Sequence, residues 1–381
     1  MADDTDDTDP LGRIEEIESA LLGSKRVFTR KEVADKAGVP IEVAEELWQQ
    51  LGFPRAADDD VAFTKEDFKA LRRTNELISL GILTPESQAA MVRTWGRSFA
   101  RLAEWQVNLL AERAIEGEDP RERLTELMEA VLPRVEKLQS YVWRRHLEGA
   151  ASRLLDHAGA DGPGTTSTMA VGFVDIVGYT SQSKTMTDSE LVHWVEHFEN
   201  EMTRTVVDLG GRVIKMIGDE VLFVAEDPVS AAEAALIVTE RGEEKDDEFP
   251  RVRAGLAYGD VVSRLGDVYG PIVNIASRLT SVARPGSVLV DRGAYEVLSG
   301  PIAEDSVDTV ELSTEDEPMR LSKILDRAAD ELAQISPYTQ AGDYRLRRLP
   351  RKHVKGYSRL EPWLLRRSKE ARSREAPGNS G

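Results

Sequence analysis

Cysteine is missing from this chain of 381 residues. Its absence excludes a disulfide framework, a thiolate metal site and a cysteine nucleophile. Long apolar runs are missing as well, because no stretch approaches the roughly 20 residues that cross a bilayer as a helix. The first ten residues, MADDTDDTDP, lack the basic and apolar regions of a signal peptide. These absences together predict a protein without a membrane span that resides in the cytoplasm.

Basic residues are fewer than acidic residues in this chain. The chain holds 49 lysines and arginines against 68 aspartates and glutamates, which gives a net charge of −19. Nucleic-acid binding generally uses lysine and arginine to neutralise phosphates, so we expect no nucleic-acid partner. A negative charge of this size commonly serves solubility. Binding of a polyanion such as a nucleoside triphosphate would therefore require local cations or metal ions.

The first part of the sequence, from about residue 11 to residue 157, is dominated by helix signals. Thr29 followed by Glu32 has the spacing of a capping box, in which two side chains satisfy free backbone N–H groups at a helix start. A long amphipathic stretch opens after Asp119, with apolar residues every three or four positions. Pro133 is expected to kink or interrupt it. The pattern predicts an all-α domain.

The second part alternates between strand and helix patterns after a small, polar, glycine-rich segment. The predicted elements, in chain order, are a strand at Met169–Val177, a helix from Thr187, strands at Arg212–Met216 and Val221–Val224, a helix from Asp227 and a strand at Arg251–Tyr258. The order β-α-β-β-α-β is that of the ferredoxin-like fold. We therefore predict an α+β domain that follows the all-α domain.

Two aspartates stand at positions where packing does not explain them. Asp175 ends the apolar first strand in GFVDIVGYT, and Asp219 lies at the tip of the hairpin KMIGDEVLF. An aspartate beside glycine is often a simple turn residue, so Asp219 alone is ambiguous. In the predicted fold the hairpin lies beside the first strand, which lets the two carboxylates face one another. Close carboxylates repel unless a cation lies between them, and their oxygens suit Mg²⁺ or Mn²⁺.

Asn274 and Arg278 lie four positions apart in GPIVNIASRLTSVA, so both project from one face of a predicted helix. An arginine there can stabilise charge that builds on a phosphoryl group in a transition state. The alternative is a solvated arginine and an asparagine at a helix start.

Lys215 and Asp267 form a donor and acceptor pair that suits adenine. Adenine presents an acceptor at N1 and a donor at its amino group, whereas guanine presents the reverse. Guanine would therefore leave both side chains mismatched, and unpaired buried polar groups discriminate strongly between ligands. The alternative is a salt bridge that has no connection with a ligand.

The segments FVDIVGYT, KMIGDE and DVYGPIVNIASR, in this order and at these separations, resemble the class III adenylyl and guanylyl cyclases. The resemblance covers about Thr166 to Trp363. It implies that the chain cyclises a nucleoside triphosphate with two Mg²⁺ or Mn²⁺ ions per active site. It also implies a homodimer with two equivalent sites, because in this family the metal-binding aspartates come from one subunit and the other site residues from its partner.

The same resemblance implies a role for each candidate residue. The metal ligands are Asp175, Asp219 and the backbone carbonyl of Ile176. Lys215 and Asp267 bind the substrate by selecting adenine. The catalytic residues are Asn274, which orients the ribose, and Arg278, which stabilises the pentavalent transition state.

One further assignment concerns the phosphates. The family has a phosphate-contacting lysine on a late strand, and the segment HVKGY makes Lys355 the candidate here. The connection from Pro301 to Gly342 is longer than the family's usual one, with a predicted helix around Met319 to Leu332.

The helical half carries two further resemblances. VFTRKEVADKAGVPIEVAEELWQQLGFP is similar to the helix-turn-helix opening of MerR-type regulators, but Lys25 to Arg73 contains ten basic and ten acidic residues, which is no electrostatic footprint for DNA. A helical domain before a cyclase domain is also similar to the autoinhibited, pH-responsive cyclase holoenzymes. His146 and His157 fall in the joining segment, and histidine changes charge near neutral pH. They are candidates for a pH-sensitive brake.

The sequence therefore predicts an adenylyl cyclase that converts ATP to 3′,5′-cyclic AMP and pyrophosphate. A guanylyl cyclase and a catalytically silent nucleotide-binding module are the alternatives. The predicted segments are a disordered acidic N-terminus over 1–10, a helical regulatory domain over 11–157, a linker over 158–168, the catalytic domain over 169–363 and a disordered tail over 364–381.

Overall fold

The computed structural model describes residues 21–81, 84–115, 119–157, 166–244, 246–300, 339–341, 343–350, 352–354, 357–368 and 371. The chain divides into two compact units, Met1–Pro163 and Gly164–Gly381. In the described part of the chain, no helix is both long and apolar enough to cross a membrane.

The first unit is helical, as predicted. Its helices are α1 (Arg30–Ala37), α2 (Ile41–Leu51), α3 (Lys65–Ser79), α4 (Pro85–Ala114) and α5 (Pro120–His157). The capping box at the start of α1 is confirmed, because the Thr29 N–H donates to the Glu32 carboxylate at 2.8 Å and Thr29 accepts from the Glu32 N–H. Val33 and Leu47 belong to the small apolar core that holds the first helices together.

Pro133 lies inside α5, which continues as one helix of 38 residues. The expected interruption at this proline is therefore wrong, whereas the alternative of a kink stays a prediction. Proline removes one backbone donor and crowds the turn before it, but the helical hydrogen bonds on either side of it persist in a helix of this length.

The second unit is built on one large sheet. Its elements are β1 (Thr166–Ile176), α6 (Tyr179–Gln182), α7 (Asp188–Asp208), β2 (Arg212–Ile217), β3 (Glu220–Ala225), α8 (Pro228–Arg241), β4 (Val252–Arg264), β5 (Asp267–Tyr269), α9 (Pro271–Val282), β6 (Val288–Val290), α10 (Arg292–Leu298), β7 (Thr339–Ala341), β8 (Tyr344–Arg348), β9 (Lys352–Val354), β10 (Tyr357–Leu360) and β11 (Trp363–Arg367).

The described strands of this unit follow the order β2-β3-β1-β4-β6-β11-β8-β7, with β5 paired to β4 and with β9 and β10 forming a separate pair. Strand β1 is antiparallel to both β3 and β4, whereas β4 is parallel to β6. Apart from the short α6, the chain from β1 to β4 runs β1-α7-β2-β3-α8-β4. This order confirms the predicted α+β, ferredoxin-like β-α-β-β-α-β fold.

The two faces of the sheet bury different helices. On one face, Val174 of β1 packs in a cluster with Phe198 of α7 and the alanines of α8. On the other face, Phe173 packs in a cluster with Ala276 of α9. Helix α9 lies very close to β4, since a Cβ at Gly255 would stand 2.3 Å from the backbone nitrogen of Thr280. Glycine is therefore required where this helix crosses the strand.

Two predicted boundaries need correction. Strand β1 begins at Thr166, inside the predicted linker, and β11 extends to Arg367, inside the predicted disordered tail. Leu364 and Leu365 are buried because β11 pairs with β6 on one side and β8 on the other. The predicted helix at 319–332, Lys355 and the chain ends over 1–10 and 372–381 lie outside the described residues.

Candidate active site

Asp175 is the penultimate residue of β1. Side chains alternate along a strand, so Asp175 lies on the same face as Phe173, the face on which α9 packs. The strand register sets Asp175 beside Glu220 of β3 and Arg253 of β4. The Arg253 guanidinium donates to one Asp175 oxygen, with Nε at 2.8 Å and Nη2 at 2.6 Å. One carboxylate oxygen is thus paired with a cation from the neighbouring strand.

Asp219 reaches the same place from the β2–β3 hairpin. Gly218, with φ of 66°, makes the tight turn at the hairpin tip. The Ile176 N–H donates to the backbone carbonyl of Asp219 at 3.1 Å, which holds the tip against the end of β1. Asp175, Ile176 and Asp219 line one open cavity of about 410 Å³, together with Lys184 and residues of the loop that follows β1. The predicted carboxylate pair is therefore brought together.

The electrostatics of this cavity favour a cation. Burial raises the pKa of Asp175, an effect that the Arg253 hydrogen bond opposes and the Asp219 charge reinforces. Burial, followed by the charges of Asp175 and Asp219, raises the pKa of Glu220 to about 7. Like charges in a partly desolvated site disfavour full ionisation. A bound divalent cation would relieve this repulsion, and the carboxylate and carbonyl oxygens are the ligands that Mg²⁺ and Mn²⁺ prefer.

The charge of Glu220 gives a pH-dependent stability that can be measured. The folded chain holds the Glu220 proton up to about pH 7, whereas the unfolded value is 4.5. The metal-free protein should therefore lose stability as the pH rises from 4.5 through 7, by at most ~3 kcal/mol from this group. Glu220→Gln should be more stable than the wild type at pH 8 and similar to it near pH 4.5, measured by urea unfolding in EDTA. Glu248→Gln, at an exposed position, is the matched control; equal curves for both variants would contradict the assignment.

Lys215 and Asp267 also come together. Lys215 Nζ donates to Asp267 Oδ2 at 2.5 Å, and Asp267 Oδ1 accepts from the Val268 N–H at 2.9 Å. Lys215 stands in register with Leu222, whose side chain is on the α9 face of the sheet. The pair shares that face with Asp175. Both side chains retain solvent access, 43% for Lys215 and 25% for Asp267, so a base can reach them.

Asn274 and Arg278 lie one turn apart on the exposed side of α9. The opposite side of this helix, with Ala276 and Leu279, is buried against the sheet. Within the described residues, the Arg278 side chain makes no hydrogen bond or ion pair. An exposed guanidinium one turn from an exposed amide is available to a ligand that approaches α9 from outside the subunit.

The sequence prediction missed two residues of the aspartate cavity, Arg253 and Lys184, and the adjacent Glu220. Arg253 and Glu220 are neighbours of Asp175 only through strand register, and Lys184 enters the cavity from the turn after α6. The one signal available in the sequence was the acidic pair Asp219-Glu220. The predicted phosphate lysine, Lys355, lies outside the described residues.

The chain is similar to several known proteins. Residues 163–322 match the family described as Adenylate and Guanylate cyclase catalytic domain. An adenylate cyclase of Glutamicibacter nicotianae is 40% identical over 293 residues, covering 72% of each chain. An adenylate cyclase of Streptomyces griseus is 35% identical over 359 residues, covering 92% of this chain and 88% of the relative. A pH-sensitive adenylate cyclase of Mycobacterium tuberculosis is 29% identical over 289 residues, covering 73% of this chain and 72% of that one.

The identity and the coverage of these relatives agree with the fold and with the paired aspartates. The chain belongs to the class III adenylyl cyclases. The resemblance seen in the sequence motifs is thereby confirmed.

Proposed function

We propose that this protein converts ATP to 3′,5′-cyclic AMP and pyrophosphate at a site formed between two copies of the chain. The observation that carries the proposal is the convergence of Asp175 and Asp219 on one cavity, on the same sheet face as the Lys215–Asp267 pair. The ribose 3′ oxygen attacks the α-phosphate, and pyrophosphate leaves. The relatives' names favour an adenylyl over a guanylyl cyclase, and the exposed Arg278 is unexplained in a silent nucleotide-binding module.

Members of this family use divalent metal ions, and two Mg²⁺ or Mn²⁺ ions per site suit the donor set. Asp175, Asp219 and the Ile176 carbonyl would hold them, while substrate phosphates and water would fill the remaining positions. When bound, such a pair favours deprotonation of the attacking oxygen and stabilises charge on the phosphates. Among the described residues no three acidic or histidine side chains converge on a metal site, which is consistent with substrate oxygens completing the coordination.

The remaining candidates act on the nucleotide. Arg278 stabilises the charge that builds on the α-phosphate, and Asn274 orients the ribose. Lys215 donates to adenine N1 and Asp267 accepts from the amino group, so their ion pair opens when the base binds. Lys184 lines the cavity and would neutralise the phosphates, and the family resemblance assigns the same role to Lys355.

A second copy of the chain would complete the site. The hairpin of β4 and β5 exposes Val262, Leu265 and Tyr269, with Leu265 52% and Tyr269 52% accessible. Clustered exposed apolar side chains are typical of surfaces that bind a partner. A two-fold symmetric homodimer then forms two equivalent sites, each with the aspartates of one subunit and the Lys215, Asp267, Asn274 and Arg278 of the other.

Base selection is tested by reversing the donor and acceptor. In a protein with Lys215→Glu and Asp267→Cys, adenine meets mismatched groups, so the ratio of kcat/KM for ATP to that for GTP should fall roughly tenfold or more. The matched control is Lys184→Met, which changes a cavity lysine but not the base pair, and should leave the ratio unchanged. An unaltered ratio in the double variant would show that these residues do not read the base.

Regulation by pH through the helical unit is a second part of the proposal. It is supported by the pH-sensitive relative and by His146, which is exposed on α5 beside Arg144 and the Arg145–Glu148 ion pair. Protonation of His146 adds charge to a cationic helix turn, and a two-state element needs only a few kcal/mol of bias to switch. His157 ends the same helix.

Removal of residues 1–157 should raise cyclase activity near neutral pH and flatten its dependence between pH 5 and 8. His146→Ala should shift the profile of the full-length protein, while His193→Ala, on α7 of the second unit, should leave it in place. The same ratio of activities at pH 5.5 and 7.5 in the truncated and full-length proteins would rule out this brake.

We also place the protein in the cytoplasm, on the basis of its composition.

A further inference from the structure

Residues 178–185 form a turn after β1 that contains α6 and makes one wall of the aspartate cavity. Within this turn Lys184 lines the cavity, is exposed and makes no ion pair with a described residue. Arg253, the other cation that lines the cavity, is already bound to Asp175. The charge of Lys184 is therefore available to the phosphates of a nucleotide.

The side-chain hydrogen bonds of this turn are local. Ser181 Oγ donates to the Gly178 carbonyl at 2.8 Å, and Thr185 Oγ1 donates to the Gln182 carbonyl at 2.8 Å. In the described part of the chain, no side chain over residues 180–185 hydrogen-bonds to another helix or strand. The position of the turn relative to the sheet therefore depends on packing.

One aromatic contact packs the turn against α7. The rings of Tyr179, the first residue of α6, and Trp194 of α7 stack with 5.9 Å between their centroids and 8° between their planes. Both residues are half-buried against the apolar cluster that contains Phe198. Tyr179 also lines the aspartate cavity, whereas Trp194 does not. Stacked rings stabilise one another beyond the burial of their apolar area, so Trp194 holds the turn without lining the cavity.

We propose that Trp194 is a positioning residue for the triphosphate of the nucleotide. Its stack on Tyr179 keeps the turn in place, so that Lys184 stays at the cavity and pairs with the phosphates that leave as pyrophosphate. This assignment rests on the proposed function, because it takes the aspartate cavity as the phosphate site. Trp194 then governs the affinity for a triphosphate and not the chemical step.

Calorimetric titration of the full-length protein with 3′-deoxy-ATP and Mg²⁺ measures this affinity without turnover, because the probe lacks the attacking hydroxyl. Trp194→Leu keeps an apolar side chain but removes the ring, and should weaken 3′-deoxy-ATP binding about three- to tenfold. Binding of 3′-deoxy-AMP, which has no β- or γ-phosphate, should change by less than about twofold. Tyr179→Leu removes the other ring and should give the same two results. Trp194→Phe keeps a ring and should stay within about twofold of the wild type.

A double variant tests whether Trp194 acts through Lys184. Lys184→Met alone should weaken 3′-deoxy-ATP binding about three- to tenfold. Adding Trp194→Leu to Lys184→Met should then weaken binding by no more than about a further twofold, because the two residues contribute one shared interaction. In steady-state turnover, Trp194→Leu should raise KM for ATP about three- to tenfold and leave kcat within about twofold.

A second aromatic stack in the same unit provides the control. Tyr295 and Trp363 stack at 4.9 Å between centroids, and neither residue lines the aspartate cavity. Tyr295 is half-buried against the same apolar cluster as Trp194, so Tyr295→Leu should perturb folding to a similar degree and leave both affinities unchanged.

Four results would overturn this proposal and leave the proposed function intact. They are an unchanged 3′-deoxy-ATP affinity in Trp194→Leu, an equal loss of affinity for 3′-deoxy-AMP, losses that multiply in the double variant, and the same effect from Tyr295→Leu. Failure of the wild type to bind 3′-deoxy-ATP would instead overturn the proposed function and this proposal together.

Discussion

Replacement of Asp175 or Asp219 by alanine is expected to lower cyclic AMP formation roughly 10³-fold or more. Both carboxylates line one cavity, and the Ile176–Asp219 backbone hydrogen bond holds the hairpin tip against the end of β1. Loss of either removes a ligand from the metal pair, and removal of one element of charge stabilisation at a reacting centre already costs about 10²- to 10³-fold. Turnover is measured by cyclic AMP release at saturating ATP and Mn²⁺.

The control must distinguish a loss of catalysis from a loss of folding. Asp208 is exposed at the end of α7, on the opposite face of the sheet, so Asp208→Ala should retain full activity. The circular dichroism of all three variants should match the wild type, because removal of a partly buried charge from a crowded acidic site does not disturb the core. Substantial turnover in Asp175→Ala or Asp219→Ala at saturating Mn²⁺ would refute the metal assignment.

A mixture of two inactive variants is expected to regain cyclase activity. Asp175→Ala and Arg278→Ala lie in different halves of a composite site, so a heterodimer of the two chains keeps one intact site and loses the other. In a random equal mixture half the dimers are heterodimers, and the activity should reach about a quarter of the wild-type value. Each parent alone should stay near background. Cyclic AMP formation is also followed after co-expression with two different affinity tags and purification through both, which leaves only heterodimers, and their activity should reach about half of the wild-type value.

The control is a mixture of two variants whose substitutions lie in the same half of the site. Asp175→Ala mixed with Asp219→Ala places both lesions in the same half of the site, so every site in that heterodimer is damaged and activity should stay at background. If the isolated heterodimer of Asp175→Ala and Arg278→Ala is also inactive, the residues do not act across a subunit interface. Recovery in both mixtures would equally exclude the proposed division of residues.

Much of the catalytic fold could be predicted from the sequence, because its hydrophobic periodicity and its helix-capping motifs indicate the same strands and helices. The strand that carries Asp175 and the helix that begins after Thr187 were each predicted near their observed limits. The ion pair between Arg253 and Asp175 was not, because it depends on the register of β1 against β4. Register is set by contacts between residues 78 positions apart, which no local pattern reveals.

The end of the catalytic unit was misjudged for a related reason. LRRSKE reads as charged and unstructured, yet β11 inserts between β6 and β8 and buries its leucines. Arg367 forms ion pairs with Glu233 and Glu240 on α8, and only 5% of its side chain is exposed. A buried charge is tolerated only when it is paired, and these partners lie more than 120 positions earlier in the chain. The sequence alone gives no sign of that pairing.

The most direct test is the product itself. Purified full-length protein is incubated with ATP or GTP, in the presence of Mg²⁺ or Mn²⁺, and the cyclic nucleotide and pyrophosphate are quantified together. The paired aspartates and the Lys215–Asp267 pair predict cyclic AMP and pyrophosphate in equal amounts, with cyclic GMP formed at least about tenfold less efficiently, and no product in EDTA. Efficient cyclic GMP formation, or no cyclic product from ATP with either metal, would contradict the assignment of this chain's active site.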